Sequence, residues 1–112
     1  MGAFLAASRG GDFDALLTVL DPDVVLRADS AAVRVGAATD VHGAAAVAEQ
    51  FSGRAQAAEL ALIDGAAGLV WAPGGQLRVA FSFTVQDGKI AEIEMVAGTE
   101  SMRGFDVAVL SE

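Results

Sequence analysis

The sequence predicts an α+β domain: helices come first, and a curved antiparallel sheet follows and wraps around them. Two observations carry that prediction. Residues 61–75, ALIDGAAGLVWAPGG, and residues 76–96, QLRVAFSFTVQDGKIAEIEMV, read as two strand–turn–strand units in direct succession. Ahead of them, apolar residues recur at helical spacing. The second unit is the clearer one. Leu77, Val79, Phe81, Phe83 and Val85 fall on one face, and Arg78, Ala80, Ser82, Thr84 and Gln86 on the other. A period of two marks a strand with one buried face. Asp87-Gly88 supplies a two-residue turn, because both positions tolerate positive φ, and Lys89 to Val96 returns from it. A sheet with so large an apolar face needs a cover, and the helices are there to provide it.

The elements follow in order along the chain. Phe4, Leu5 and Ala7 begin a first helical piece, which Gly10-Gly11 interrupts. Asp12 is suited to cap a second helix, in which Phe13, Leu16, Leu17 and Leu20 form one buried stripe. Asp21-Pro22-Asp23 ends it, since the proline ring cannot continue a helix. Val24 to Asp29 is a strand on its β-branched content, and a weaker strand is expected around Ala32 to Ala37. His42-Gly43 leads into an alanine-rich helix, with Val47 and Phe51 one turn apart and a close near Gly53. Ala58 to Asp64 resumes the sheet. The tail from Thr99 to Leu110 reads as partly helical.

Composition narrows the function classes. At 112 residues the chain is one domain, residues 1–112, with a single core. No run approaches the roughly 18 apolar residues that cross a bilayer, and no basic n-region precedes a hydrophobic stretch. No membrane association is expected. The absence of cysteine excludes disulfides and thiolate metal sites and fits a reducing, cytoplasmic setting. Seven basic against fifteen acidic side chains give a net charge of −8, which repels a phosphate backbone, so direct nucleic-acid contact is not expected. Gly74-Gly75 after Pro73 is a turn between strands, without the downstream helix that would present amides to a phosphate. No cofactor is expected.

Helices bunched before a curved antiparallel sheet resemble the cone-shaped nuclear-transport-factor-like, or SnoaL-like, superfamily. That resemblance implies a bent sheet wrapped around the helices with a cavity at its open end. A narrower likeness lies in FLAASRGGDFDALLTVLDPDVVLRAD, the helix AAAVAEQFSGRAQAA, IDGAAGLVWAPGG and FTVQDGKIAEIEMVA. Together they resemble the SnoaL-like domain at the C-terminus of SigJ-type extracytoplasmic-function sigma factors. The likeness implies a regulatory domain whose partners are the N-terminal sigma domains and, through them, RNA polymerase. The start inside an apparent helix fits a domain taken from a longer chain, with Met1-Gly2 as a cloning remnant. Two of the family's motifs are altered here. A glycine-rich segment usually follows the strand-ending aspartate, whereas Asp29 is followed by Ser30-Ala31-Ala32-Val33. The family's asparagine-proline-aspartate-lysine-leucine motif aligns with Gly98-Thr99-Glu100-Ser101-Met102, the candidate residues for regulatory contact.

Candidate chemistry centres on three side chains. Arg27 and Asp29 are two apart on one strand and are expected to project from the same face. The superfamily resemblance implies that an aspartate in the cavity can act as a general base, as in cyclases and isomerases, or pair with arginine, as in hydrolases. A buried carboxylate with a raised pKa would suit that work. The plainer reading makes Asp29 a strand-end turn residue and Arg27 its solvated partner, and no second acid is evident to complete a proton relay. His42 has a titration range suited to acid–base work, or it simply stands at the entrance to the following helix. One histidine without a cysteine or carboxylate cluster makes no metal site.

A second group concerns binding. Phe51, Trp71, Phe81, Phe83 and Met95, with Arg27 and Asp29, are candidates to line a pocket for a hydrophobic small molecule, or else they are core. Glu92 and Glu94 share a face of the last strand and suit a basic partner or a solvated surface. The small outward residues Ala80, Ser82 and Thr84 would let two copies pack through their sheets as a homodimer. The leading expectation is a non-catalytic regulatory domain of a sigma factor. The competing one is a small cyclase, isomerase or hydrolase with Asp29 as base.

Overall fold

The computed structural model describes residues 2–34, 39–52, 58–72, 77–98 and 107–109. Helix α1 (Gly2–Gly10) and helix α2 (Phe13–Val19) lead into strand β1 (Leu20–Ala28). Helix α3 (Ser30–Arg34), the two-residue strand β2 (Val41–His42) and helix α4 (Ala44–Phe51) follow. Strands β3 (Glu59–Ile63), β4 (Ala66–Trp71), β5 (Val79–Gln86), β6 (Lys89–Val96) and β7 (Val107–Val109) complete the chain. They join in one curved sheet in the order β2-β1-β6-β5-β4-β3-β7. All pairings are antiparallel except β1 with β6, which run parallel because the chain makes a long excursion between them.

Local chemistry explains most of the boundaries. Asp12 caps α2, its Oδ1 accepting from the Ala15 amide at 3.1 Å. The helix stops at Val19, and Leu20 is already extended. Strand β1 therefore starts before Asp21-Pro22-Asp23 rather than after it. Its register against β6 jumps from Leu20 opposite Ile90 to Val25 opposite Glu92, so the intervening residues bulge out and Pro22 needs no ladder partner. The β3–β4 and β5–β6 hairpins turn on an Asp-Gly pair with positive φ at both positions: Asp64 at 52° with Gly65 at 82°, and Asp87 at 52° with Gly88 at 77°.

Three expectations are corrected. The stretch after Asp29 begins as a helix, not a strand, because Asp29 caps α3; of the expected strand, residues 35–37 lie outside the described residues. Of the tail, residues 99–106 and 110 lie outside the described residues, and the part described is a strand, β7, whose Val107 and Val109 pair antiparallel with Ile63 and Ala61 of β3. Leu77 precedes β5 and packs with the cluster on the opposite face from Phe81 and Phe83, so the expected single face from Leu77 to Val85 does not hold.

The helices cover the inner face of the sheet. Phe4, Leu16, Val47 and Phe51 from the helices meet Leu26, Leu69, Phe83 and Ile93 from the strands in one core. A smaller cluster of Ala61, Ile63, Val70 and Ala80, with Leu77 and Val107 against it, lies on the outer face. Ala80 is thus buried within the chain, whereas Ser82 is half-buried and Thr84 exposed. Gly68 is required where β4 crosses beneath this cluster. A Cβ there would lie 2.7 Å from the Phe81 carbonyl oxygen and 2.8 Å from Ile63 Cδ1. On β6 an extra residue between Ile90 and Glu92 breaks the period of two, so Ile90 and Ile93 both reach the core.

Candidate functional site

Asp29 stands at the point where β1 ends. Its amide donates to the Met95 carbonyl at 3.0 Å, the last contact it makes with β6 as backbone, and its carbonyl accepts from Val33 at 3.0 Å as α3 begins. The carboxylate serves three more amides. Oδ1 accepts from Ala32 at 2.8 Å, Oδ2 accepts from Gly98 at 2.9 Å, and Ala97 donates to both oxygens at 3.2 Å. Burial by itself would raise the Asp29 pKa. The amides of Ala32, Gly98 and Ala97 and the positive charge of Arg34 outweigh it, holding the carboxyl below its ordinary value of 3.8. A carboxylate held this way is a poor proton acceptor.

Arg27 is not its partner. The strand ends at Ala28, so the period of two that would align the two side chains does not extend to Asp29. Arg27 lies opposite Glu94 in the β1–β6 register, on the outer face, and its Nη1 is 3.9 Å from Glu92 Oε1. Both side chains of that pair are well exposed, at 58% and 35%, which limits the pair to about 0–1 kcal/mol. Glu92 thus has its cation within this chain. The cation that acts on Asp29 is Arg34, which sequence reasoning did not single out.

His42 stands apart from both. It is the second residue of β2, exposed, and paired with Val25. Val25 is four residues back along β1 from Asp29, on the order of 13 Å at the usual strand rise. Gly43 at φ 93° then opens α4. The Asp29, Arg27 and His42 set is therefore not brought together. Among the described residues no group of three His, Asp or Glu side chains could hold a metal ion.

The aromatic set converges far better. Phe4 stacks edge-on against Phe51 at 5.1 Å and against Phe83 at 5.3 Å, and Phe51 meets Phe81 at 6.2 Å. Sequence reasoning placed Phe4 in a helix but missed that it sits at the centre of these rings. Phe51, Phe81, Phe83 and Met95 all lie on the inner face. The register arranges this face in rows. Leu26, Ile93 and Phe83 form one row, and all three are buried. In the next row Ala28, Met95, Phe81, Leu69 and Leu60 follow one another across five strands, and all but Leu69 are only half-buried. Trp71, two residues beyond Leu69 on β4, is 42% exposed. Across β1, β6 and β5 the apolar lining is thus closed at the Leu26, Ile93 and Phe83 row and half-open at the next row toward Asp29, while Trp71 is exposed on β4. Arg27, named with the pocket residues, faces the opposite side. Gly98 is engaged by Asp29, while Thr99, Glu100, Ser101 and Met102 lie outside the described residues.

No family model and no curated protein matches this chain. Solved structures do. The extracytoplasmic function sigma factor SigJ of Mycobacterium tuberculosis is 28% identical with a TM-score of 0.70. The match covers 92% of this chain and 42% of the SigJ chain. A candidate polyketide cyclase from Sinorhizobium meliloti is 21% identical with a TM-score of 0.56, covering 83% of this chain and 89% of that one. An NTF-2-like protein of unknown function from Burkholderia xenovorans LB400 is 18% identical with a TM-score of 0.56, covering 84% of this chain and 76% of that one. The chain has the nuclear-transport-factor-like, or SnoaL-like, fold. The half-open row from Leu60 to Ala28 ends at β1 and β6, the two strands that α3 contacts. No helix among the described residues is long and apolar enough to cross a membrane.

Proposed function

We propose that this chain is the regulatory domain of an extracytoplasmic-function sigma factor, acting on the polymerase-binding sigma domains rather than turning over a substrate. The observation that carries this reading is the likeness to SigJ, which exceeds the likeness to the cyclase in both identity and TM-score over a larger share of this chain. The alignment spans less than half of SigJ, which leaves room in a factor of that kind for the domains that would be regulated. Two features of the site support the non-catalytic part. The carboxylate nearest the open end is engaged by three backbone amides, and the arginine and histidine of a catalytic set lie elsewhere. An acidic surface with net charge −8 also suits a basic partner. The half-open apolar row is where a hydrophobic ligand would tune the contact.

The test is a domain exchange in SigJ. Transcription from a SigJ-dependent promoter is compared for three proteins: intact SigJ, SigJ without its matched segment, and SigJ carrying this chain in that place. A rate that departs from the deletion and moves toward the intact factor supports regulation. A rate equal to that of the deletion counts against it. The enzymatic reading makes a different prediction, that an added cyclase or isomerase substrate is consumed and that Asp29→Asn abolishes the turnover.

A further inference from the structure

At the end of the β1–β6 ladder one side chain takes over from the backbone. Parallel pairing runs to Ala28 opposite Met95, and β5 pairs with β6 as far as Val96. Beyond those points β1 is no longer available to β6, because its chain turns into α3 at Ser30. The next two amides after β6, those of Ala97 and Gly98, donate to the Asp29 carboxylate instead. A carboxylate can mimic the carbonyl oxygens of an extended chain, as aspartate does in Asx turns. Its two oxygens also reach two segments at once, because Oδ1 simultaneously caps α3 through Ala32.

We infer that Asp29 is a fastener that joins α3 and the chain leaving β6 into one mechanical unit at the open end of the sheet. A helix cap needs one acceptor oxygen, and serine or asparagine would provide it. Holding Gly98 needs the second oxygen as an acceptor as well, which only a carboxylate offers in a side chain this short. The residue pair just before the fastener, Ala28 and Met95, belongs to the half-open apolar row. Whatever displaces α3 at that end therefore displaces the exit at Gly98 with it. The inference does not depend on the proposed function.

Amide hydrogen exchange on the wild-type chain and on Asp29→Ala and Asp29→Ser tests this, with the Ile93 amide as the reference for global folding. Removing charge-assisted bonds should speed exchange at Ala97 and Gly98 by about 10- to 100-fold in both variants while Ile93 stays protected. In the alanine variant Ala32 should lose protection as well. Retained protection at Ala97 and Gly98 in either folded variant would overturn the inference, since Asp29 would then be a helix cap only. A measurement on the wild type alone covers the case in which the variants do not fold. The amide proton shifts of Ala32, Ala97 and Gly98 should follow one common titration midpoint in acid, and three separate midpoints would overturn the fastener.

Discussion

The two ends of the inner sheet face differ more than their composition suggests. Toward the hairpin turns, Leu26, Ile93 and Phe83 are closed over by the helices, while one row further along Phe81, Met95 and Ala28 remain half-open. Both rows are apolar, and both belong to the same three strands. A helical ring meets each row, Phe4 against Phe83 and Phe51 against Phe81, yet the first row is covered and the second stays half-open. Stability is thus concentrated at the closed end.

That contrast can be broken by truncation. Ile93→Ala removes a fully buried side chain from the closed row and should cost about 2–5 kcal/mol, lowering the denaturation midpoint strongly in urea. Met95→Ala, in the half-open row opposite Phe81, should cost clearly less, about 1–2 kcal/mol, because the site already has water on one side. Equal losses at the two positions would show that the open end is packed as tightly as the closed one.

Acid sharpens the comparison at the open end. Asp29 has a pKa below its ordinary value of 3.8, so its contribution to stability is fully present above that value and disappears as pH falls through the lowered one. In Asp29→Ala the loss of stability relative to wild type should therefore be largest near neutral pH, of the order of 1–2 kcal/mol from the cap alone, and should shrink in strong acid. A difference that grows on acidification would reverse the assigned direction. The smallest effect is expected on the outer face. Arg27→Ala removes only an exposed pair with Glu92 and should change stability by less than about 1 kcal/mol, and less still in high salt.

The sheet half of the fold was the more legible half. Asp87-Gly88 and the alternation through Phe81 and Phe83 reported a hairpin with one buried face, and the positive φ at both turn residues agrees with that. Asp12, Leu16 and the Val47 to Phe51 spacing likewise announced helices α2 and α4. Other features depend on contacts distant in sequence. Nothing near Ile90 signals the extra residue that turns both Ile90 and Ile93 inward, because that bulge is a property of the pairing with β5. Val85, assigned to the buried face by its period, is 53% exposed, and it lies just past the register shift between Thr84 and Val85.

The site was less legible for a related reason. Asp29 and Arg27 were read as neighbours on a strand, yet the strand ends between them. The local sequence Asp29-Ser30-Ala31-Ala32 did carry the signal, an aspartate at a helix start, but the β-branched Val33 and Val35 that follow favoured a strand. The ties to Ala97 and Gly98 span 68 and 69 residues and have no local signature.

The claim that Asp29 is committed to backbone amides, and so serves architecture instead of proton transfer, can be measured directly. Carbon-13 NMR of the Asp29 side-chain carboxyl, followed from neutral pH into acid, reports its protonation midpoint in the folded chain. The account predicts a midpoint below 3.8. A midpoint raised toward neutrality would contradict it and return Asp29 to the role of a general base.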